Sequence, residues 1–270
     1  MNPSPPTPAI ETRRLSRSFG EFVALQPLDL EVEQGIIFGL LGPNGAGKST
    51  TIKILTTLLP PTSGTARVAG FDVVDRPTLV RRRIGYVPQL LSADGALTGR
   101  ENLLLSARLY RVPRAERGPR IARALAFMEL ESSGDDLVRT YSGGMIRRLE
   151  LAQAMLHEPE VLFLDEPTIG LDPMARRAVW DRLLELKQRT GMTILLTTHD
   201  MEEADVLCDR LAILHQGAVA VTGEPARLKQ GIGPEATLED LFIAAVGGSI
   251  EEGGTYRDVR QLRTSVRRRG

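Results

Sequence analysis

The chain has 270 residues, 42% of them hydrophobic and 25% charged, which is enough apolar side chain for one compact domain with a subdomain. Its 34 basic residues balance 34 acidic ones, so there is no global electrostatic case for nucleic acid as a partner. Cys208, the only cysteine, excludes an intramolecular disulfide and a multi-thiolate metal site, and reads as a small buried apolar residue.

Residues 1–8 are Pro-rich and uncharged, without the basic start or apolar centre of a secretory signal, and are expected to form a disordered cytosolic tail. No apolar run along the chain approaches the roughly 18 residues that a membrane-spanning helix needs. Residues 36–41, IIFGLL, form a continuous apolar run that suits a strand buried on both faces of a parallel sheet. Gly42, Pro43, Asn44, Gly45, Ala46, Gly47, Lys48, Ser49 and Thr50 follow, and match the spacing GxxxxGK[ST]. Glycines there let consecutive backbone N–H groups turn inward around phosphate oxygens with no Cβ in the way. Lys48 is placed to reach the β- and γ-phosphates and the Ser49 hydroxyl to ligate Mg²⁺, at the positive end of a helix beginning near Gly47. Only Lys48, Lys53, Lys187 and Lys229 are lysines, so one inside a glycine-rich loop stands out. GTPases, small-molecule kinases and many ATPases share such a loop.

Helical periodicity runs from about residue 100 to 110 and from 114 to 130, interrupting the alternation of strands and helices. Ser142, Gly143 and Gly144 then open an amphipathic helix with Ile146, Leu149, Ala152 and Leu156 at helical spacing. Small residues and free N–H groups at its start make a second phosphate-binding end. One nucleotide does not need two such ends from one chain, so the second is expected to serve a nucleotide held by another copy. The strand VLFL, residues 161–164, ends in Asp165 and Glu166. Asp165 suits the Mg²⁺ shell, and Glu166 suits orienting or deprotonating an attacking water. His157 and His215 read as ordinary polar residues. Residues 212–225 read as two short strands around 215–217, and 236–248 as a short amphipathic helix. Arg257, Arg260, Arg263, Arg267, Arg268 and Arg269 make the end basic, a solvated tail by preference over an amphipathic helix carrying Val259, Leu262 and Val266.

Together these motifs resemble the ATP-binding cassette (ABC) family, whose signature LSGGQ stands here as YSGGM at residues 141–145. The resemblance spans about residues 10–228 with the elements in the family's order: Phe19 in SRSFG, the phosphate loop, Gln89 in IGYVPQ, the signature, Asp165 and Glu166, IGLD ending at Asp172, and His199 in TTHD. It implies an α/β P-loop NTPase fold with a RecA-like parallel core, an antiparallel β subdomain and an α-helical subdomain at about 91–157. The nucleotide-binding domain would then cover residues 9–228, and residues 229–270 would form a short C-terminal extension with its basic tail. By the same resemblance Phe19 stacks on adenine, Gln89 senses Mg²⁺ and the attacking water, His199 contacts the γ-phosphate, and Asp172 crosses a dimer interface. Tyr141 and Met145 depart from the family's Leu and Gln, whereas Ser142, Gly143 and Gly144 keep the phosphate-binding part.

The implied protein is an ATPase that binds ATP and Mg²⁺, pairs with a second cassette as a homodimer, and drives separately encoded membrane subunits from the cytoplasmic face. Its style is similar to the exporter branch that includes daunorubicin-resistance ATPases and drug, lipid and polysaccharide efflux systems. The alternative is a cassette acting on nucleic acid or ribosomes. A single cassette with no heptad run and one cysteine argues against it.

Overall fold

The computed structural model describes residues 7–247; most of the N-terminal tail and the whole basic C-terminal end lie outside the described residues. The chain begins with β1 (Ile10–Phe19) and β2 (Phe22–Val32), an antiparallel hairpin that β4 (Ser63–Val68) and β5 (Phe71–Asp72) extend into a four-stranded sheet of order β2-β1-β4-β5. Between the two halves of that sheet the chain makes β3 (Ile37–Leu41) and α1 (Lys48–Leu55), which belong to a second layer. There β6 (Ile84–Val87), β7 (Val161–Asp165), β8 (Thr193–Thr198), β9 (Arg210–His215) and β10 (Ala218–Gly223) complete a six-stranded sheet of order β10-β9-β3-β8-β7-β6. All its pairings are parallel except β10 on β9.

Every residue of β3, β7 and β8 is buried, which is why β3 and the first four residues of β7 read as unbroken apolar runs. Their alternate side chains feed two cores. Phe38, Leu40, Phe163 and Leu195 meet Ile52 and Ile54 of α1 and the inner face of the antiparallel sheet. Ile37, Leu41, Leu162, Leu164, Ile194 and Leu196 instead meet the helices on the other side. Those helices are α5 (Gly143–Met155), α6 (Pro173–Thr190) and α7 (Met201–Leu207), preceded by α3 (Gly99–Leu109) and α4 (Arg114–Phe127). The expected helical patterns at 100–110 and 114–130 thus correspond to α3 and α4. α3 opens on a reciprocal capping box, in which the Thr98 hydroxyl accepts from the Glu101 N–H and the Glu101 carboxylate accepts from the Thr98 N–H. A short α2 (Pro77–Arg83) leads into β6; α8 (Pro225–Ile232) and α9 (Leu238–Gly247) close the described chain, α9 being the helix expected over 236–248.

No helix among the described residues is long and apolar enough to cross a membrane. Cys208 is buried, and its burial pushes the thiol pKa up.

Gly85 sets how closely α5 approaches the sheet. A Cβ there would overlap the Ala154 carbonyl oxygen and come within 2.9 Å of Leu162. The obstacle is helix backbone that cannot rotate aside, so Gly85→Ala should lower unfolding stability by about 1–3 kcal/mol. A urea titration with an unchanged midpoint would show that α5 can yield.

Candidate active site

The parallel register places three strand ends side by side. Leu41 of β3 lies opposite Thr198 of β8, and Thr197 lies opposite Asp165 of β7. The phosphate loop, the Asp165–Glu166 pair and His199 therefore leave one edge of the sheet together, at the carboxyl ends where open α/β sheets bind ligands.

In the loop, Gly45 and Gly47 hold φ of 82° and 102°, which only glycine adopts without strain. Among the described residues no protein acceptor meets the amides of Gly45, Gly47, Lys48, Ser49 or Thr50. These donors surround the start of α1 and fit the oxygens of a polyphosphate. Lys48 is buried, and its Nζ donates to the carbonyls of Gly42 at 2.7 Å and Pro43 at 3.2 Å. It also lies 3.1 Å from Glu166 Oε1.

Glu166 is buried and has φ of 51°, a left-handed conformation that costs a non-glycine residue about 1–3 kcal/mol. Two bonds hold it there, from its N–H to the Thr197 carbonyl at 3.1 Å and to Thr197 Oγ1 at 3.0 Å. The same threonine hydroxyl donates to Asp165 Oδ1 at 2.7 Å, and Ser49 Oγ donates to that oxygen at 2.9 Å. The other Glu166 oxygen, Oε2, lies 2.5 Å from His199 Nδ1. Lys48, Ser49, Asp165, Glu166 and His199 are thus one bonded cluster. The Ser49 hydroxyl and the Asp165 carboxylate are hard oxygen donors of the kind that suits a partly hydrated Mg²⁺. Beside them the Tyr86 phenol pKa is pushed up to about 12, by burial first and then by the Asp165 charge.

The remaining expected residues lie elsewhere. Phe19 ends β1 with 47% of its surface exposed, and the Arg17 guanidinium lies 4.5 Å from its ring centre. Gln89 follows β6, the strand next to β7, and its carbonyl accepts from Arg147 at 2.9 Å. Ser142 caps α5, its hydroxyl accepting from the Met145 N–H at 3.2 Å; Gly143 is exposed, and Gly144 packs on Ala175 of α6 where a Cβ would come within 2.8 Å. Asp172 is exposed and caps α6 by accepting from the Ala175 N–H at 2.9 Å. Among the described residues no hydrogen bond or ion pair joins residues 142–144 to the Lys48–Glu166 cluster.

Sequence reasoning missed several supporting groups. Thr197, which bonds both carboxylate residues, gave no signal beyond lying two residues before His199. Glu203 lies in the first turn of α7, buried, accepting from Thr168 Oγ1 at 2.6 Å and Trp180 Nε1 at 2.9 Å. Its signal was available: an acidic residue on the same helix face as the apolar Leu207. Arg147 and Glu150, also missed, form a buried pair on α5. His157 stacks on Tyr110 at 3.8 Å between ring centres, and burial lowers its pKa.

A central strand that feeds a glycine-rich loop into a helix, with a carboxylate pair on a nearby parallel strand, defines the P-loop nucleoside triphosphatases. Residues 25–169 match the model of the family described as ABC transporter. The chain is 47% identical over 228 residues to the daunorubicin/doxorubicin resistance ATP-binding protein of Streptomyces peucetius, covering 84% of this chain and 69% of that protein. It is 48% identical over 220 residues to the Nod factor export ATP-binding protein I of Sinorhizobium fredii, covering 82% and 64% respectively. A solved structure titled as the ATP binding subunit of an ABC transporter superposes with a TM-score of 0.78 at 33% identity, covering 88% of this chain and 99% of that one. The chain belongs to the ABC transporter family and is one of its ATPases.

Burial raises the Glu203 pKa, against the hydrogen bonds from Thr168, Thr198 and Trp180 that lower it. The folded protein then holds this proton at pH values where the unfolded chain, titrating near 4.5, has lost it. Stability from this group is full below the unfolded value and is lost as pH rises through the folded one. Glu203→Gln removes the titration, so the Tm of the wild type relative to the variant should fall as pH rises through that window. Parallel Tm–pH curves would show that Glu203 does not titrate with folding.

Proposed function

We propose that this chain hydrolyses ATP to drive export of a drug, lipid or polysaccharide-like compound through separately encoded membrane subunits, working as one of two paired cassettes at the cytoplasmic face of the membrane. The observation that carries the reading is one phosphate loop together with two helix N-termini that present free amides, at Lys48 and at Gly143. Among the described residues no bond joins the second to the first, so a nucleotide on one copy's loop would be closed over by the signature of another. Relatives named for drug resistance and for Nod factor export support the direction of transport. The exposed Leu90, Leu91 and Leu109, near Gln89 and on α3, offer apolar surface for a membrane subunit.

In this reading the loop amides and Lys48 hold the β- and γ-phosphates and stabilise charge that moves onto the leaving oxygen. Glu166 takes the proton of the attacking water, or orients it, and His199 both fixes the carboxylate and contacts the γ-phosphate. Ser49, Asp165 and Gln89 would hold Mg²⁺ through their oxygens, and the ion would supply neutralisation of the phosphate charge. Phe19 and its neighbour Arg17 provide the surface for adenine, and Asp172 reaches the paired cassette.

Glu166→Gln keeps the shape and removes the base, so ATP turnover should fall about 10²-fold or more while ATP still binds. With ATP and Mg²⁺ this variant should elute as a dimer on gel filtration. A Glu166→Gln protein that hydrolyses ATP at the wild-type rate, or stays monomeric with bound ATP, would overturn the paired-cassette reading. Purification from host membranes should bring down a multi-span subunit in stoichiometric amount; a ribosomal or DNA-repair partner would favour the alternative.

A further inference from the structure

Arg147 and Glu150 lie one turn apart in α5, and both side chains are almost completely excluded from water. Their guanidinium and carboxylate meet at 3.0 Å. Charges this deeply buried are hard to account for by stability, since apolar side chains of similar volume often serve a core as well or better. Their remaining bonds all reach the segment after β6. Arg147 donates to the Pro88 carbonyl at 2.8 Å and the Gln89 carbonyl at 2.9 Å. Glu150 Oε1 accepts from the Ser92 hydroxyl at 3.0 Å and from the Ser92 N–H. No other donor among the described residues meets the Pro88 or Gln89 carbonyl, and the Arg147 Nε has no partner. The pair thus grips both ends of residues 88–92, between which Leu90 stands 81% exposed.

The other end of this grip is a helix terminus. α5 begins at Gly143, and Arg147 follows Gly144 by three residues, a rise of about 4.5 Å along one rigid rod. Pro88 and Gln89 also continue directly from β6, whose neighbour β7 ends in Asp165. The loop is therefore covalently tied to the sheet at one end and bonded to α5 at residues 88, 89 and 92.

We propose that Arg147 and Glu150 are positioning residues that lock residues 88–92 to α5, so that the Gln89 loop and the Ser142–Gly144 terminus move together. A push on Leu90 then reaches the signature through four hydrogen bonds, and closure of the signature on a phosphate moves Gln89 in return. Apolar side chains could fill the same space, but could not bond two successive carbonyls and an amide. The proposal rests on the reading above, in which Gln89 and residues 142–144 serve ATP.

The test uses the full chain carrying Glu166→Gln and Leu90→Cys. Cys208, the only native cysteine, is buried, so a nitroxide attaches at position 90 alone. The spectrum is recorded with and without ATP and Mg²⁺, in that parent and in one also carrying Arg147→Met and Glu150→Leu. In the parent, ATP should change the mobility of the label. In the apolar variant that change should be lost, while ATP affinity stays within about twofold and thermal unfolding remains cooperative, because the filled space preserves the core. With Glu166 restored, kcat of the apolar variant should fall about tenfold or more with little change in KM, the mark of misplacement rather than lost binding. Arg147→Lys, which keeps the charge but not the two-pronged grip, should fall between. A label that responds to ATP equally in both backgrounds overturns the proposal, as does a parent that binds ATP with no change at position 90. A parent that binds no ATP overturns instead the reading of the phosphate loop on which the proposal depends.

Discussion

The parallel pairing of β3, β8 and β7 is the constraint from which the site follows. Side chains alternate along a strand, so a one-residue slip of β7 against β8 would turn Asp165 toward the other face and put Leu164 opposite Thr197. Two cores prevent the slip. Val161 and Phe163 are required by the layer that holds α1, and Leu162 and Leu164 by the layer that holds α5 and α6. The Thr197 hydroxyl can then bond Asp165 and the Glu166 amide at once, which holds Glu166 in its left-handed backbone conformation. The geometry of the site is a consequence of how apolar side chains of the same strands pack in the two layers flanking the sheet.

Charged groups divide by what they join. Exposed pairs such as Arg177 with Asp181 and Arg189 with Glu185 link neighbouring turns of one helix and contribute at most about 1 kcal/mol each. The buried ones bridge elements: Lys48 of α1 to Glu166 after β7, Arg147 of α5 to the loop after β6, Glu203 of α7 to Thr168 and to Trp180 of α6. Glu166 is the most constrained, with one oxygen toward Lys48 and the other toward His199. An anion entering the loop would meet the Lys48 ammonium that this carboxylate already faces, so phosphate binding would weaken the hold of Lys48 on Glu166.

Much of this was legible in the chain because the P-loop, the carboxylate pair and the TTHD strand end are local patterns in which residue type and spacing carry the chemistry. Fully buried strands were readable for the same reason: IIFGLL and VLFL admit water on neither face. β1 and β2 were less so, since their mixed pattern belongs to a sheet with one open face and β1 is broken by bulges. Thr197, Glu203 and the Arg147–Glu150 pair escaped because their roles depend on partners 23 to 59 residues away. Arg147 and Arg148 look alike in sequence, and only packing decides which is buried: Arg147 turns inward, while Arg148 reaches out to Glu129.

The two departures in the signature have a packing explanation. Tyr141, where the family's motif has leucine, is buried, and its phenol donates to the Ser133 carbonyl at 2.5 Å, tying the entrance of α5 to the turn after α4. That bond needs space at the first residue of α3, where a Cβ on Gly99 would overlap the phenol oxygen. Tyrosine at 141 and glycine at 99 are therefore one structural choice, in which a polar anchor replaces purely apolar packing. Met145, where the motif has glutamine, is partly buried against the same core, so its side chain supports the helix from within. What remains for a phosphate at this terminus is the Ser142 hydroxyl and the amides of Gly143 and Gly144. Backbone groups on a terminus anchored by Tyr141 on one side and by Arg147 on the other need no mobile polar side chain to aim them.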